Sequence, residues 1–422
     1  MAAVHLAALQ VAAPQVAALR RQRALSVLPK TTESPSAAEL VLASLIEAGH
    51  NLAPDEVVPT VAAHLSALGM GDIAVYLVDL DQRLLVPVAG GDSPTETLEI
   101  DATGAGLAFR SKEVFEEQVE TGTRLWVPLV DGADRVGVLG VTVPRTDADT
   151  VRRVRNVASI SASLIVSKSS HGDHLVLARR QRDMDLAAEM RWSMLPTLTF
   201  TNARVAVPGM LEPAYEIAGA AFDYAINGAL AHIAIIDAMG HGLEASRMAN
   251  LAVGSYRHSR RRGLDLVETF TTMDRVVATH FGPERFVTGQ LARLDLASGL
   301  LKWVNAGHPP PLLSREGQPI SDLRCETSLP LGLGYVVAEV AEVLLEPGDS
   351  VLFLTDGVIE ARAPDGSLFG RSRLGQLWRD AAVTGEIPAE ILRRLCHSIL
   401  DHQKGRLQDD ATLLLVSWTG PR

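Results

Sequence analysis

Three apolar runs, each with an aspartate at one end, constrain this chain more than any other feature. "AHIAIIDAMGHG" leads to Asp237, "SVLFLTDG" to Asp356, and in "LQDDATLLLVSW" the pair Asp409 and Asp410 comes just before the run. Short stretches rich in Ile, Val, Leu and Phe read as buried strands, so these acids are expected at strand ends. A carboxylate just beyond a buried strand, with a permissive turn beside it, is held rigidly and keeps its oxygens free for a hard cation. Taken singly, each has a plain structural explanation, because Asp-Gly after a strand is common turn chemistry and "DD" before one suits an exposed edge. Convergence of Asp237, Asp356 and Asp409 on one pocket is what would create a Mg²⁺ or Mn²⁺ site.

The chain has 422 residues, too many for one ordinary core, and predicts two or three domains. With 47% hydrophobic and 21% charged residues it has a globular composition. No run approaches the roughly 18 uncharged apolar residues of a membrane span. The start, "MAAVHLAALQVAAPQVAALRRQR", places its arginines after the apolar part and reads as a helical extension over residues 1–35, not as a secretory signal. Cys325 and Cys396 match no metal-ligand spacing and form no disulfide framework, which fits a reducing cytoplasm. A formal charge of −11 disfavours nucleic acid as a partner. The local exception "RHSRRRG", Arg257 to Gly263, reads as a solvated helix end with cations at the C-terminal dipole.

Residues 37–68 show helical apolar spacing broken at "NLAP", followed by strand-like "IAVYLVDL" and "RLLVPVAG", a helix-like stretch "ATGAGLAFRSKEVF", two strands around "DGAD", and a helix from about Asp147 to Val166. This order, with the "VPL…G.LGV" hairpin, resembles a GAF domain over residues 36–168. The resemblance implies an antiparallel sheet with helices, a cavity for an unidentified small molecule, and a dimer. No cysteine or histidine is positioned to ligate haem or a bilin. Apolar stripes at Val154, Val157, Ile160 and Leu164, and again at Met184, Ala187, Met190 and Met194, fit either a parallel coiled coil through a linker helix at 169–197 or packing of each helix on its own domain.

Beyond residue 197, long strand-like runs without strict βα alternation indicate an α+β layered fold. Here the segments "MRWSMLP", "EIAGAAFDY", "DAMGHGLEA", "FVTGQLARLD", "NAGHPPPLL", "LPLGLG", "EPGDSVLFLTDGVIEA" and "QDDATLLLV" resemble the SpoIIE-like branch of the PPM metal-dependent serine/threonine protein phosphatases. The resemblance implies an α-β-β-α sandwich over 198–420. It implies that Asp237 bridges two Mn²⁺ or Mg²⁺ ions with help from the Ala238 carbonyl, that Asp356 and Asp409 hold one ion, and that Asp410 is the alternative to Asp409. Its implied substrate is a phosphorylated STAS-type anti-sigma-factor antagonist. Where the family has "GGDxxD" this chain has "AGAAFD": Ala220 replaces the first acid and Asp223 keeps the second. The second ion is therefore expected to bind weakly, and three readings stay open: an attenuated phosphatase, a binding pseudophosphatase, or a ligand-sensing GAF dimer. His241 and His308 are read as turn residues bonded to backbone, while Arg285 and Lys302 either meet phosphate or face solvent.

Overall fold

The computed structural model describes residues 37–88, 96–215, 219–334, 338–405 and 409–421. The expected extension over residues 1–35 lies outside them. The chain divides into two compact units, Met1–Ser44 and Leu45–Arg422. All that follows concerns the second unit, apart from the start of helix α1 (Ala37–Gly49).

After α1 comes the expected break, a 3₁₀ turn at Pro54–Glu56, and then α2 (Val57–Ala67). Strands β1 (Gly71–Val78), β2 (Leu84–Pro87) and β3 (Leu98–Glu99) precede α3 (Gly104–Ser111). This helix begins at the glycines of the stretch read as helix-like. The Thr103 hydroxyl accepts the Gly106 amide at 3.1 Å, and Gly106 lies so close to the Ile100 carbonyl that a Cβ would stand 1.9 Å from its oxygen. Lys112 ends α3 in the left-handed region, and "FEEQV", Phe115–Val119, forms a strand β4 that the sequence reading missed. Strands β5 (Gly122–Asp131) and β6 (Asp134–Val143) complete an antiparallel sheet in the order β3-β2-β1-β6-β5-β4. Helix α4 (Ala148–Ser169) packs on β5, with Val154, Val157, Ala158, Ser161, Ala162 and Ile165 buried. Of the expected stripe, Ile160 and Leu164 are only half-buried, one position off the buried face.

The linker is not one helix. It forms α5 (His174–Ala178) and α6 (Leu186–Met194), because the chain between them is drawn onto Tyr215. The Tyr215 hydroxyl accepts the Gln181 amide at 2.9 Å, its carbonyl accepts the Asp185 amide at 3.3 Å, and the Arg182 guanidinium lies 4.7 Å over its ring.

Then come β7 (Thr199–Thr201), β8 (Val205–Glu212), β9 (Ala220–Asn227), β10 (Leu230–Ala238), α7 (Gly242–Arg261), α8 (Leu266–Phe281), β11 (Val287–Asp295), β12 (Leu300–Ala306), β13 (Leu312–Ser314), β14 (Ser321–Asp322), β15 (Ala341–Leu344), β16 (Ser350–Leu354), α9 (Asp356–Ile359), α10 (Gly370–Val383), α11 (Pro388–His402) and β17 (Ala411–Trp418). Two antiparallel sheets result, β15-β12-β11-β10-β9 and β14-β13-β16-β17-β8-β7. Strand alternation sorts their side chains. Phe222, Tyr224, Ile233, Ile235, Val351, Phe353, Leu414 and Val416 meet in the layer between the sheets. Ala234 and Ile236 face α7 and α8 on one outer side, and Leu352, Leu354 and Leu413 face α10 and α11 on the other. The layers run helix, sheet, sheet, helix.

Helix α11 is also gripped by the first sheet. Arg135 of β6 donates from Nη1 to Glu390 Oε2 at 2.8 Å and from Nη2 to the Ala389 carbonyl at 3.2 Å. Arg393 donates to both Glu390 oxygens and both Asp101 oxygens, and His397 Nε2 bonds the Asp81 carbonyl at 2.8 Å. The Arg135–Glu390 side chains are only 5% and 4% exposed, so the pair is held by geometry and not by solvent. Removing one partner from such a pair leaves a buried charge unmatched. Glu390→Ala should lower unfolding stability by about 3 kcal/mol, whereas replacing Arg135, Glu390 and Arg393 together by apolar residues should cost less; denaturant melts of the two variants check the order.

Candidate functional site

The site lies where the two sheets end together. Asp237 occupies the β10 face that carries Ile233 and Ile235, so its side chain is directed between the sheets at the strand's last turn of the pleat. On the facing sheet, Asp410 precedes Ala411 on the face that carries Leu414 and Val416, and thus points into the same layer. Asp356 opens the single turn of α9 just past β16. These places are far apart in sequence but share one end of the sandwich.

Backbone contacts hold the acids. The Thr355 hydroxyl donates to the Asp410 carbonyl at 2.8 Å and accepts the Thr412 amide at 3.0 Å, which ties the loop of Asp356 to that of Asp409 and Asp410. A Cβ on Gly357 would stand 2.2 Å from the Asp410 carbonyl oxygen, so the glycine of "TDG" is there for close approach. Asp410 Oδ2 accepts the Ala220 amide at 2.9 Å and thereby bridges the two sheets. Asp356 and Asp409 each accept the amide of the following residue at 2.9 Å. Gly240 and Gly242, both at positive φ, carry the chain from β10 into α7.

The electrostatics are those of crowded carboxylates. Burial, and after it the charges of Asp410, Asp356 and Asp409, raise the Asp237 carboxyl well above the usual range. Burial and the Asp409 charge raise Asp356. Burial lifts Asp410 to about 6 against the Ala220 amide and the Arg191 charge, which favour its ionised form. Hard oxygen donors of this kind suit Mg²⁺ or Mn²⁺. The fit is in kind and in charge: among the described residues no three His, Cys, Asp or Glu side chains form a ready-made cage. Residues to hold divalent ions would be Asp237, Asp356, Asp409 and the Ala238 carbonyl, with Asp410 beside them. Ala238 keeps the extended backbone of β10, so the alanine costs its carbonyl nothing in orientation.

Ala220 is fully buried and lies directly opposite Asp237 in the β9–β10 ladder. It shares the inter-sheet face of Phe222 and Tyr224, so an acid at 220 would stand among the carboxylates. Asp223, by contrast, faces the helices. It pairs with Arg257 at 2.8 Å and Arg260 at 2.6 Å, and Arg257 also donates to the Met194 carbonyl at the end of α6. The "RHSRRRG" segment is thus not simply a solvated helix end: Arg257 and Arg260 are turned inward by a buried acid on the neighbouring strand.

His241 is an exposed N-cap of α7 without a side-chain cap bond. His308 is buried: Nδ1 stands 3.0 Å from the Thr288 hydroxyl, and Thr288 is the ladder partner of Asp237. Burial holds His308 near 4, so it is neutral and structural at neutral pH. Lys302 pairs with Glu342 on the sheet surface, and Arg285 pairs with Glu244 beside the turn after Asp237. Sequence reasoning missed Thr355, Thr288 and Arg191. Threonines flanking "DG" and "DDA" were the available signal for the first; Arg191 in "MRWSMLP" gave none, since only folding brings it to the Pro213 carbonyl and the Asp410 charge.

The layers define a two-sheet α+β domain with an acid-lined seam at one end. Residues 227–419 match the family model described as Stage II sporulation protein E (SpoIIE). The phosphoserine phosphatase RsbU of Bacillus subtilis is 23% identical over 237 residues, which is 56% of this chain and 69% of that protein. The phosphoserine phosphatase RsbP of the same organism is 26% identical over 244 residues, 56% of this chain and 58% of that protein. Among solved structures, the RsbU and RsbW domains of Rv1364c from Mycobacterium tuberculosis align with a TM-score of 0.44 at 26% identity, covering 53% of this chain and 63% of that one.

An acid whose folded pKa lies above its unfolded value stabilises the fold below the unfolded value and loses that contribution as pH rises through the folded one. Without divalent ions, Asp237→Asn should therefore be more stable than the native chain at pH 8, with the advantage shrinking as pH falls toward about 4. Mn²⁺ at a hundredfold excess over Kd should add about 2.7 kcal/mol to the native chain and nothing comparable to the variant. Thermal melts with chelator and with Mn²⁺ measure both.

Proposed function

We propose that the chain is a cytoplasmic metal-dependent protein-serine/threonine phosphatase acting on a phosphorylated STAS-type anti-sigma-factor antagonist in a partner-switching pathway. The observation that carries the reading is the gathering of Asp237, Asp356, Asp409 and Asp410 at one end of a SpoIIE-family sandwich. Two divalent ions, when bound, supply hydroxide near neutral pH and neutralise charge on the phosphoryl oxygens. The chain's own part is to fix the acids. Asp237 reaches between the sheets, the Ala220 amide orients Asp410, and Thr355 keeps the two acidic loops in register. No covalent phosphoenzyme is needed, and neither cysteine lies among the acids.

Residues 36–168 are proposed as a GAF-type regulatory module in a homodimer. Two routes lead from it to the acids: the grip of Arg135 on α11, and α6, whose Arg191 donates to the Pro213 carbonyl and whose Met194 carbonyl accepts Arg257. A small-molecule role is less well supported, because Phe109 of α3 packs with Tyr76 and Trp126 of the sheet in one buried cluster.

Ala220 favours a second reading, a protein that binds its phosphorylated partner and turns it over slowly or not at all. A methyl group opposite Asp237 offers no acceptor for ordered water, and loss of one such group costs about 10² in rate. Ala220→Asp should raise Mn²⁺-dependent phosphate release from a seryl-phosphorylated STAS-domain protein about a hundredfold. Equal turnover by both forms would remove Ala220 as the cause of attenuation, and binding without release by both would establish the scaffold.

A further inference from the structure

Residues 239–244 follow Asp237 at the edge of the acid site and carry two exposed apolar side chains. Met239 is 41% exposed and Leu243 is 43% exposed, although neighbouring Ala238, Ala245 and Ser246 are buried. Single exposed apolar residues need no explanation. Here two stand four positions apart around the Gly240–Gly242 turn that directly follows Asp237, so chain length alone keeps them within about 14 Å of each other and beside the carboxylates.

A cation is built into the same edge. Arg285 Nη2 donates to Glu244 Oε2 at 2.9 Å, and a Cβ on Gly240 would lie 3.7 Å from Arg285 Nη1. Its backbone is anchored nearby: Met239 donates to the Phe286 carbonyl at 3.1 Å, and Val287 is the ladder partner of Ala238. Arg285 and Glu244 are both substantially exposed, so the pair is weakly held and the guanidinium is free to exchange its carboxylate for a better acceptor. A phosphate dianion offers bidentate geometry to a guanidinium.

We propose that Met239, Leu243 and Arg285 form a docking lip for a phosphoprotein, with the two apolar side chains covered by an apolar face beside the phosphorylated serine or threonine and Arg285 drawing in the phosphate. The proposal rests on the phosphatase reading and deepens it: the substrate is a folded protein surface, not a free phosphomonoester. A small phosphate ester reaches the acids without covering the lip.

The experiment compares native, Met239→Ser/Leu243→Ser and Arg285→Gln proteins, each carrying Ala220→Asp for measurable turnover, on two probes in Mn²⁺: a seryl-phosphorylated STAS-domain protein and p-nitrophenyl phosphate. The ratio of kcat/KM on the phosphoprotein to that on the aryl phosphate should fall about tenfold in the apolar double variant, chiefly through KM. Arg285→Gln should lower kcat/KM about tenfold on both probes, because both carry a phosphate dianion. A ratio within twofold of the parent in the double variant, or an unchanged kcat/KM in Arg285→Gln, overturns the lip. Absence of phosphate release from either probe is a failure of the phosphatase reading, and the lip is then decided by binding: tenfold weaker capture of the phosphoprotein by the double variant supports it, and equal capture overturns it.

Discussion

Everything in the catalytic half turns on like charges held together. Four carboxylates meet at one end of two packed sheets, where partial burial and mutual repulsion both oppose their ionisation. A fold keeps such an arrangement only if packing elsewhere outweighs it, and the inter-sheet layer of Phe222, Ile233, Ile235, Phe353 and Leu414 is the compensating mass. In their ionised forms the acids destabilise the fold as a group.

Ala220 belongs to the same seam. It sits opposite Asp237 in the ladder, and its amide, not its side chain, contributes to the site by fixing Asp410. That contact is made by the backbone and does not depend on which side chain stands at 220. Asp223, three residues along, serves a different end: it turns Arg257 and Arg260 inward and so ties α6, α7 and β9 into one block.

Much of this was legible beforehand. The strands ending in Asp237 and Asp356 and the one beginning after Asp410 fell where apolar runs placed them, because an interior strand needs a continuous buried surface and a polar terminus. Helical stretches in the sequence near 242–257, 264–280 and 388–403, and a less regular one near 371–382, form α7, α8, α11 and α10. The misreadings have a common cause. "FEEQV" has few apolar residues because β4 is an edge strand, the linker broke in two because Tyr215 captures its backbone, and the arginines after Tyr256 are buried by an acid thirty-odd positions away. In each case a distant partner overrode a local pattern.

From its letters alone the chain declared its apolar strands, the acids at their ends, the alanine where an acid was expected, and the family these share. Only the tertiary structure decided that Asp410 bridges the sheets while Asp409 stays exposed beside Asp356, that Ala220 faces Asp237, that His308 is buried behind the site, and that Arg135 grips α11. The reason is that periodicity reports which face of an element is buried, whereas the partner across a seam is set by register and sheet packing, which no local stretch of sequence encodes.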